Sequence, residues 1–208
     1  MATSPIHSSE KETGRLEAFS DGVFAIGMTL LALDLKVPTL PLDSGRWALA
    51  SALRHEWPAY FAFVTSFFTV LIMWVNHHAM FKVMHRVNAR VLFANGFLLM
   101  LTTVVPFTTA LVAEYLQSPQ APVACAVYTG TFVLISLSYN WLWHTMIVDR
   151  SLMRSGVSED TIGKLTRNYM LGVPAYLVAT AMSFVDVRVS VGICSALWIF
   201  WAFTAKDA

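Results

Sequence analysis

Polar side chains inside long apolar stretches are the residues of this sequence whose types and spacing could do chemistry. Trp74 and the adjacent His77 and His78 form one such group. Adjacent histidines invite comparison with metal sites, but histidine-rich membrane di-iron sites use more histidines than the six of this chain. We therefore predict no metal site. We expect one of these imidazoles to form a hydrogen bond across a helix bundle, for instance to Ser20 or Asp21.

A second polar group, Arg15 to Asp21, directly precedes an apolar stretch. Ser20 and Asp21 are typical of a helix N-terminus, where side-chain oxygens accept hydrogen bonds from free amides and a carboxylate is stabilised by the helix dipole. A helix cap is therefore one interpretation. In the other, Arg15 pairs with Asp21 or with a neighbouring chain and links the start of the helix to assembly.

The stretch that follows carries one stripe at helical spacing, formed by Gly22, Ile26, Thr29, Leu30 and Leu33. Residues three and four apart share a helix face, and such an apolar face is most often an ordinary packing surface. The alternative is a hydrophobic gate. Copies of one helix around an axis place isoleucine or leucine rings at a constriction that closes by dewetting, beside threonine hydroxyls that face a cation.

Three further polar positions have structural interpretations. Asn95 is alone among apolar residues, and Pro106, Thr108 and Thr109 predict a kinked helix whose free carbonyl is compensated by a neighbouring hydroxyl. We expect Asn140 to form an interhelical hydrogen bond.

The elements that position these residues are predicted to be membrane-spanning helices. Hydrophobic residues make up 56% of the 208 residues and charged residues 13%, about half of the roughly 25% typical of soluble domains. Long stretches without charge match a hydrocarbon layer of about 30 Å. A net charge of +1 and the absence of a basic tract exclude a nucleic-acid partner.

We predict an all-α integral membrane protein with a single domain, residues 1–208, and six transmembrane helices. The predicted spans lie near residues 18–36, 58–81, 91–113, 122–148, 168–185 and 189–205. Ten of the 14 lysines and arginines lie on the side of both termini, which predicts that both termini are cytoplasmic. The polar residues 1–13 predict no cleavable signal peptide, and 149–167 predicts a solvated linker with a helical turn starting at Ser158.

Together these motifs resemble the bacterial relatives of the lysosomal potassium channel called transmembrane protein 175. The motif Arg-x-x-x-Phe-Ser-Asp-Gly is the most specific match, and two further matches lie downstream. The matching residues are Arg15, Phe19, Ser20, Asp21 and Gly22; Trp74, His77 and His78; and Asn95, Pro106, Phe107 and Thr109.

The resemblance implies a homotetramer whose first helices line a central pore without the Thr-Val-Gly-Tyr-Gly filter of other potassium channels. It implies that Ile26 forms the narrowest ring, that Leu30 and Leu33 form the next rings, and that Thr29 supplies a hydroxyl layer. It also implies a structural polar network of residues that do not contact the permeant ion, namely Arg15, Phe19, Ser20, Asp21, Trp74 and His77.

The function expected from this resemblance is a potassium-permeable, modestly potassium-selective cation channel in the plasma membrane. Its partners are potassium ions, the lipid bilayer and further copies of the chain, with no cofactor. Asp34, near the outer end of the first helix, is a candidate for concentrating cations. The alternative is a secondary transporter or proton-coupled cation exchanger in which Asp21 and His77 titrate. An enzyme would need a nucleophile and base or a metal centre, so we expect none.

Overall fold

The computed structural model describes residues 5–204 of the chain, with the side chains of residues 12–202. In this range the chain forms eight α-helices, and a 3-10 turn at Leu31–Asp34 extends the first of them. The helices are α1 (Pro5–Leu30), α2 (Ala48–His55), α3 (Trp57–Lys82), α4 (Ala89–Thr102), α5 (Val105–Tyr115), α6 (Ala121–Val148), α7 (Glu159–Met182) and α8 (Val187–Thr204).

Four helical segments are long and apolar enough to cross a membrane, namely residues 12–34, 57–82, 89–115 and 121–148. Helix α8 is apolar but shorter, and α7 begins with a charged turn. The chain is therefore a multi-pass membrane protein. Each of the six predicted spans overlaps one of these helices or the α4–α5 pair, but six crossings stay a prediction. Residue 205, the predicted end of the sixth span, lies outside the described residues.

Helix α1 begins at Pro5, well before the predicted start of the first span. Ser20 and Asp21 consequently lie in the interior of a helix, where the backbone amides already have intrahelical partners. The interpretation of Ser20 and Asp21 as a helix cap is wrong for this reason, and their side chains are available for contacts with other helices.

Helix α7 also begins earlier than the predicted span. Ser158 accepts a hydrogen bond from the amide of Thr161 at 3.1 Å, and Glu159 and Asp160 occupy the first turn. Both features stabilise a helix N-terminus. The second half of the predicted 149–167 linker is therefore helical and continuous with α7.

A break at residues 103–104 divides the predicted third span into α4 and α5. Pro106 lies in the first turn of α5, where its missing amide costs no helical hydrogen bond. At the break, the hydroxyls of Thr102 and Thr103 donate to the carbonyls of Leu98 and Met100, at 3.0 and 2.7 Å. The kink predicted from Pro106 is present, and these hydroxyls bind carbonyls on the α4 side of it.

Helix α6 lies at the centre of the bundle and packs against α4, α5, α7 and α8. In an apolar 18-residue stretch of α6, 61% of residues are buried, whereas the corresponding figure for α1 is 22%. Helix α1 therefore lies at the edge of the subunit, with one face against α3, α4 and α5 and the other uncovered.

Candidate functional site

One face of α1 is fixed to the bundle by buried residues at helical spacing. Ser20, Phe24 and Leu31 are fully buried, and spacings of four and seven place them on one side of the helix. Gly27 lies on the same side, where an added Cβ would be 3.9 Å from Cγ2 of Thr102, an ordinary packing distance. An alanine at Gly27 would therefore fit against α4 without displacing Thr102.

A buried chain of hydrogen bonds joins α1, α4 and α3. The amide nitrogen of Asn95 donates to Ser20 Oγ at 2.9 Å, and the Ser20 hydroxyl donates to the carbonyl of Leu16 at 2.9 Å. Asn95 Oδ1 lies 2.7 Å from His77 Nε2. An amide oxygen only accepts hydrogen bonds, so His77 carries its proton on Nε2. Ser20, Asn95 and His77 are all fully buried.

Aromatic rings enclose the imidazole of His77. The Phe81 ring stacks on it with centroids 4.5 Å apart, and the Phe24 ring meets it edge-on at 5.3 Å. Nδ1 of His77 is buried without a hydrogen-bond partner among the described residues. Packing and the single bond to Asn95 thus hold the ring in one orientation, which suits a fixed support for α1.

Two more polar contacts join α1 to α3, one turn apart. Trp74 donates its indole N–H to Asp21 Oδ1 at 2.8 Å, and His78 Nδ1 lies 2.6 Å from Glu17 Oε1. The Trp74 and His78 rings stack with centroids 6.1 Å apart. Glu17 was not among the residues predicted from the sequence. Its signal is the spacing, because Glu17 and Asp21 are four residues apart on α1, as Trp74 and His78 are on α3.

Arg15 and Phe19, which were predicted to join this network, are exposed in the single subunit. Arg15 has no ion pair with any described residue, and the partner of Asp21 is Trp74. A contact of Arg15 or Phe19 with a neighbouring subunit stays a prediction.

The opposite face of α1 carries the predicted gate residues, and no described part of the subunit covers it. Ile26 is 59% exposed, Leu33 74% and Leu30 40%. Thr29 is exposed between them, and its hydroxyl donates to the carbonyl of Ile26 at 2.9 Å. The Thr29 oxygen keeps its lone pairs, so it can accept a hydrogen bond or coordinate a cation.

Asp34 follows this stripe at the end of the 3-10 turn. Its Oδ2 is buried and has no hydrogen-bond partner among the described residues. Lys36, two residues later, pairs with Glu114 at 4.0 Å rather than with Asp34.

The remaining polar positions contact neighbouring helices. Asn140 donates to the carbonyls of Ser136, at 2.8 Å, and Tyr169, at 2.9 Å, so it bonds across to α7. Thr109 donates to Ser66 Oγ at 2.7 Å. Within the part of the chain that the structure describes, no group of three histidine, cysteine or acidic residues could hold a metal ion.

Comparisons with known proteins identify the family of the chain. Residues 15–106, which include the whole α1–α3–α4 network, match the family described as endosomal/lysosomal potassium channel TMEM175. A protein of Chamaesiphon minutus named as a potassium channel is 48% identical over 198 residues, which are 95% of this chain and 97% of that protein. The chain belongs to the TMEM175 family.

The resemblance inferred from the sequence motifs is thereby confirmed. A crystal structure of a lysosomal potassium-selective channel TMEM175 homologue from Chamaesiphon minutus superposes with a TM-score of 0.85 at 47% identity, covering 94% of this chain and 98% of that one. A Danio rerio protein named endosomal/lysosomal proton channel TMEM175 is 44% identical over 72 residues, only 14% of its length. TMEM175 is a family of ion channels, not of enzymes.

Proposed function

We propose that this chain is a subunit of a potassium-permeable, modestly potassium-selective channel, and that four copies place their α1 helices around a central pore. The observation that carries the proposal is the division of α1 into two faces. Hydrogen bonds and packing fix one face to α3 and α4, while the other is uncovered and carries Ile26, Thr29 and Leu33. The relatives named as potassium channels support the choice of ion.

A single subunit is a poor route for an ion, which is why the proposal requires several copies. The centre of the bundle is α6, whose buried side chains include Phe132, Leu142 and Trp143. Closed symmetry is the common way to bring several copies of one surface together. Four α1 helices would then form a narrow ring of Ile26 side chains, with Leu30 and Leu33 as further rings and the Thr29 hydroxyls beside them.

The buried face of α1 supports a fixed pore radius. A helix that lines a pore must keep its rotation, because one residue of rotation replaces Ile26 by a neighbour at the constriction. Ser20, Asp21 and Glu17 each bond to α3 or α4. These contacts would act as supports and would not contact the permeant ion.

The membrane location and orientation belong to the same proposal. We place the protein in the plasma membrane with six crossings and both termini cytoplasmic, on the basis of the lysine and arginine distribution. Asp34 would then lie near the outer end of the pore, where its carboxylate attracts cations.

Recording of purified protein in lipid bilayers tests the gate. Ile26→Ala widens the narrowest ring and removes apolar surface, so the potassium current at a fixed voltage should rise severalfold. Ile199→Ala is the matched control, because Ile199 is 44% exposed on α8 and the same atoms are deleted. Equal currents from both variants and the parent would mean that Ile26 faces lipid or protein.

The hydroxyl layer has its own test. Thr29→Val keeps the side-chain volume and removes the oxygen, so the ratio of potassium to sodium permeability, measured from reversal potentials, should change. Thr131→Val on α6 is the control, since Thr131 also donates to its own helix and lies away from α1. An unchanged ratio in Thr29→Val would remove the hydroxyl from the permeation path.

A secondary transporter or proton-coupled exchanger is the alternative. The Danio rerio relative is named as a proton channel, so proton permeation must be measured together with potassium permeation. Single-channel events far above the turnover of a carrier would exclude an exchanger. A reversal potential that follows the proton gradient rather than the potassium gradient would replace potassium by protons as the permeant ion.

A further inference from the structure

A pocket next to the Glu17–His78 contact lies where α1, the end of α3 and the α6–α7 connection meet. Its volume is about 290 Å³, and its lining includes Glu17, His78, Lys82 and Arg154. We call it the basic pocket. It lies beside Lys82, the last residue of a membrane-length helix, so it is at the level of lipid headgroups.

Backbone hydrogen bonds between two connections build one wall of the basic pocket. The amide of His85 donates to the carbonyl of Leu152 at 2.8 Å, and the amide of Arg154 donates to the carbonyl of Val83 at 2.9 Å. Met84 and Met153 form an isolated bridge between these bonds and are both buried. The bonds hold the backbones of residues 83–85 and 152–154 together, so Lys82 and Arg154, which are distant in the chain, line the same pocket.

The two cations have unused donors. Arg154 Nε donates to the carbonyl of Met84 at 3.0 Å, which orients the guanidinium, and its remaining N–H groups have no acceptor among the described residues. Lys82 is exposed and has no ion pair with a described residue. An oriented guanidinium beside an ammonium is a common arrangement for phosphate recognition.

The carboxylate on the lining leaves a net positive charge, because Lys82 and Arg154 outnumber Glu17. Glu17 Oε1 is 2.6 Å from His78 Nδ1, a contact that also stacks His78 against Trp74. The carboxylate is therefore engaged on the α3 side of the pocket, and Lys82 and Arg154 remain for an incoming anion.

We propose that the basic pocket binds a phosphate-bearing anion, with Lys82 and Arg154 as its principal ligands. A volume of about 290 Å³ is far larger than a halide needs and accommodates a phosphate with a small substituent. The phosphate can come from an anionic phospholipid headgroup or from free phosphate. Because Thr13 and Gly14 of α1 also line the pocket, a bound anion would lie between α1 and the α6–α7 connection.

Binding is tested on the purified full-length protein in an uncharged detergent by calorimetric titration. The probes are dihexanoyl phosphatidylglycerol, dihexanoyl phosphatidylcholine and inorganic phosphate. Saturable binding of phosphatidylglycerol alone identifies a lipid headgroup, and equal binding of inorganic phosphate identifies a soluble source. Saturable binding of neither anion, or equal binding of phosphatidylcholine, would overturn the proposal.

Variants assign the binding to the pocket. Lys82→Gln with Arg154→Gln should raise the dissociation constant at least about tenfold, because two charge-assisted contacts are lost. The control is Arg90→Gln with Arg167→Gln, which removes the same charge from exposed positions outside the pocket. Equal weakening by both pairs would show general attraction to basic protein and refute the site.

Two safeguards keep the test decisive. Lys82→Gln alone removes an exposed side chain that has no ion pair with a described residue, so it should fold normally and still weaken binding severalfold if the double variant is unstable. The titration requires no current. Failure of binding therefore leaves the proposed channel function intact, and an absent current leaves the binding result intact.

Discussion

Asn95 is the junction between α1 and α3, and the variant Asn95→Leu measures what this junction contributes. The parent side chain donates to Ser20 Oγ at 2.9 Å and accepts from His77 Nε2 at 2.7 Å. Leucine has the same heavy-atom branching, so the substitution removes both hydrogen bonds, and its bulkier methyl groups add a small overpacking cost. Asn95 is fully buried, and water cannot replace the lost partners without a structural change.

The two lost bonds differ in cost. The Ser20 hydroxyl still donates to the carbonyl of Leu16, so Ser20 loses only an incoming bond. His77 Nε2 loses its acceptor, and its Nδ1 already has none among the described residues. An orphaned buried donor costs about 1–3 kcal/mol, and we expect Asn95→Leu to lower the free energy of unfolding by about 2–3 kcal/mol.

A double-mutant cycle separates the bond from other effects of the substitution. Unfolding in mixed micelles with increasing dodecyl sulfate gives the free energy for the parent, Asn95→Leu, His77→Leu and the double variant. The coupling should be about 1–2 kcal/mol, near the upper end for interhelical hydrogen bonds in membranes. Ser183→Ala replaces His77→Leu in the control cycle, because Ser183 bonds to Ala179 and Ser190 and shares no partner with Asn95.

Additive effects of Asn95→Leu and His77→Leu, with coupling no larger than in the control cycle, would refute the assignment of His77 as a partner of Asn95. If the coupling is large but Asn95→Leu leaves the channel current unchanged, a different step is refuted, namely that this bond holds α1 in the rotation that the pore needs.

Two further substitutions test packing in and beyond the network. Trp74→Phe keeps an aromatic ring but leaves Asp21 without its indole donor at 2.8 Å, so the free energy of unfolding should fall by about 1–3 kcal/mol; no change would mean that water replaces the indole. Gly172→Ala places a Cβ 2.9 Å from Ser136 Oγ and should cost about 1–3 kcal/mol. Gly163→Ala on the same helix meets nothing within 4 Å and should stabilise by about 0.4–1 kcal/mol; equal effects of the two alanines would contradict the close approach of α6 and α7.

Helix positions were predictable from the sequence to the extent that the bilayer dictates them. Uncharged length is a requirement of the hydrocarbon layer, so the centres of α3 and α6 follow from composition alone. Helix starts outside the membrane follow other rules. The polar residues before Arg15 continue α1 to Pro5, and Ser158 begins α7 well before its apolar part. Helix α2 is amphipathic but, at eight residues, too short for a membrane span, and it was not predicted.

The residues of the polar network were predictable from the sequence, but their hydrogen-bond partners were not. The motifs indicated Ser20, Asp21, Trp74 and His77, since polar groups in a membrane need partners. Which group bonds to which depends on the rotation and height of each helix, and an error of one residue turns a side chain by about 100°. The expected bond from His77 to Ser20 consequently passes through Asn95.

What contacts the exposed face of α1 depends on how the subunits assemble and does not follow from one chain alone. In a soluble protein, an uncovered stripe containing Ile26 and Leu33 would indicate an interface, because water disfavours it. Lipid tails carry no such penalty, so the same stripe is compatible with lipid and with a pore. The fixed face of α1 supports the proposed pore. Lipid contact does not require a defined rotation, whereas a constriction does, and α1 has polar contacts to α3 and α4 from Glu17, Ser20 and Asp21.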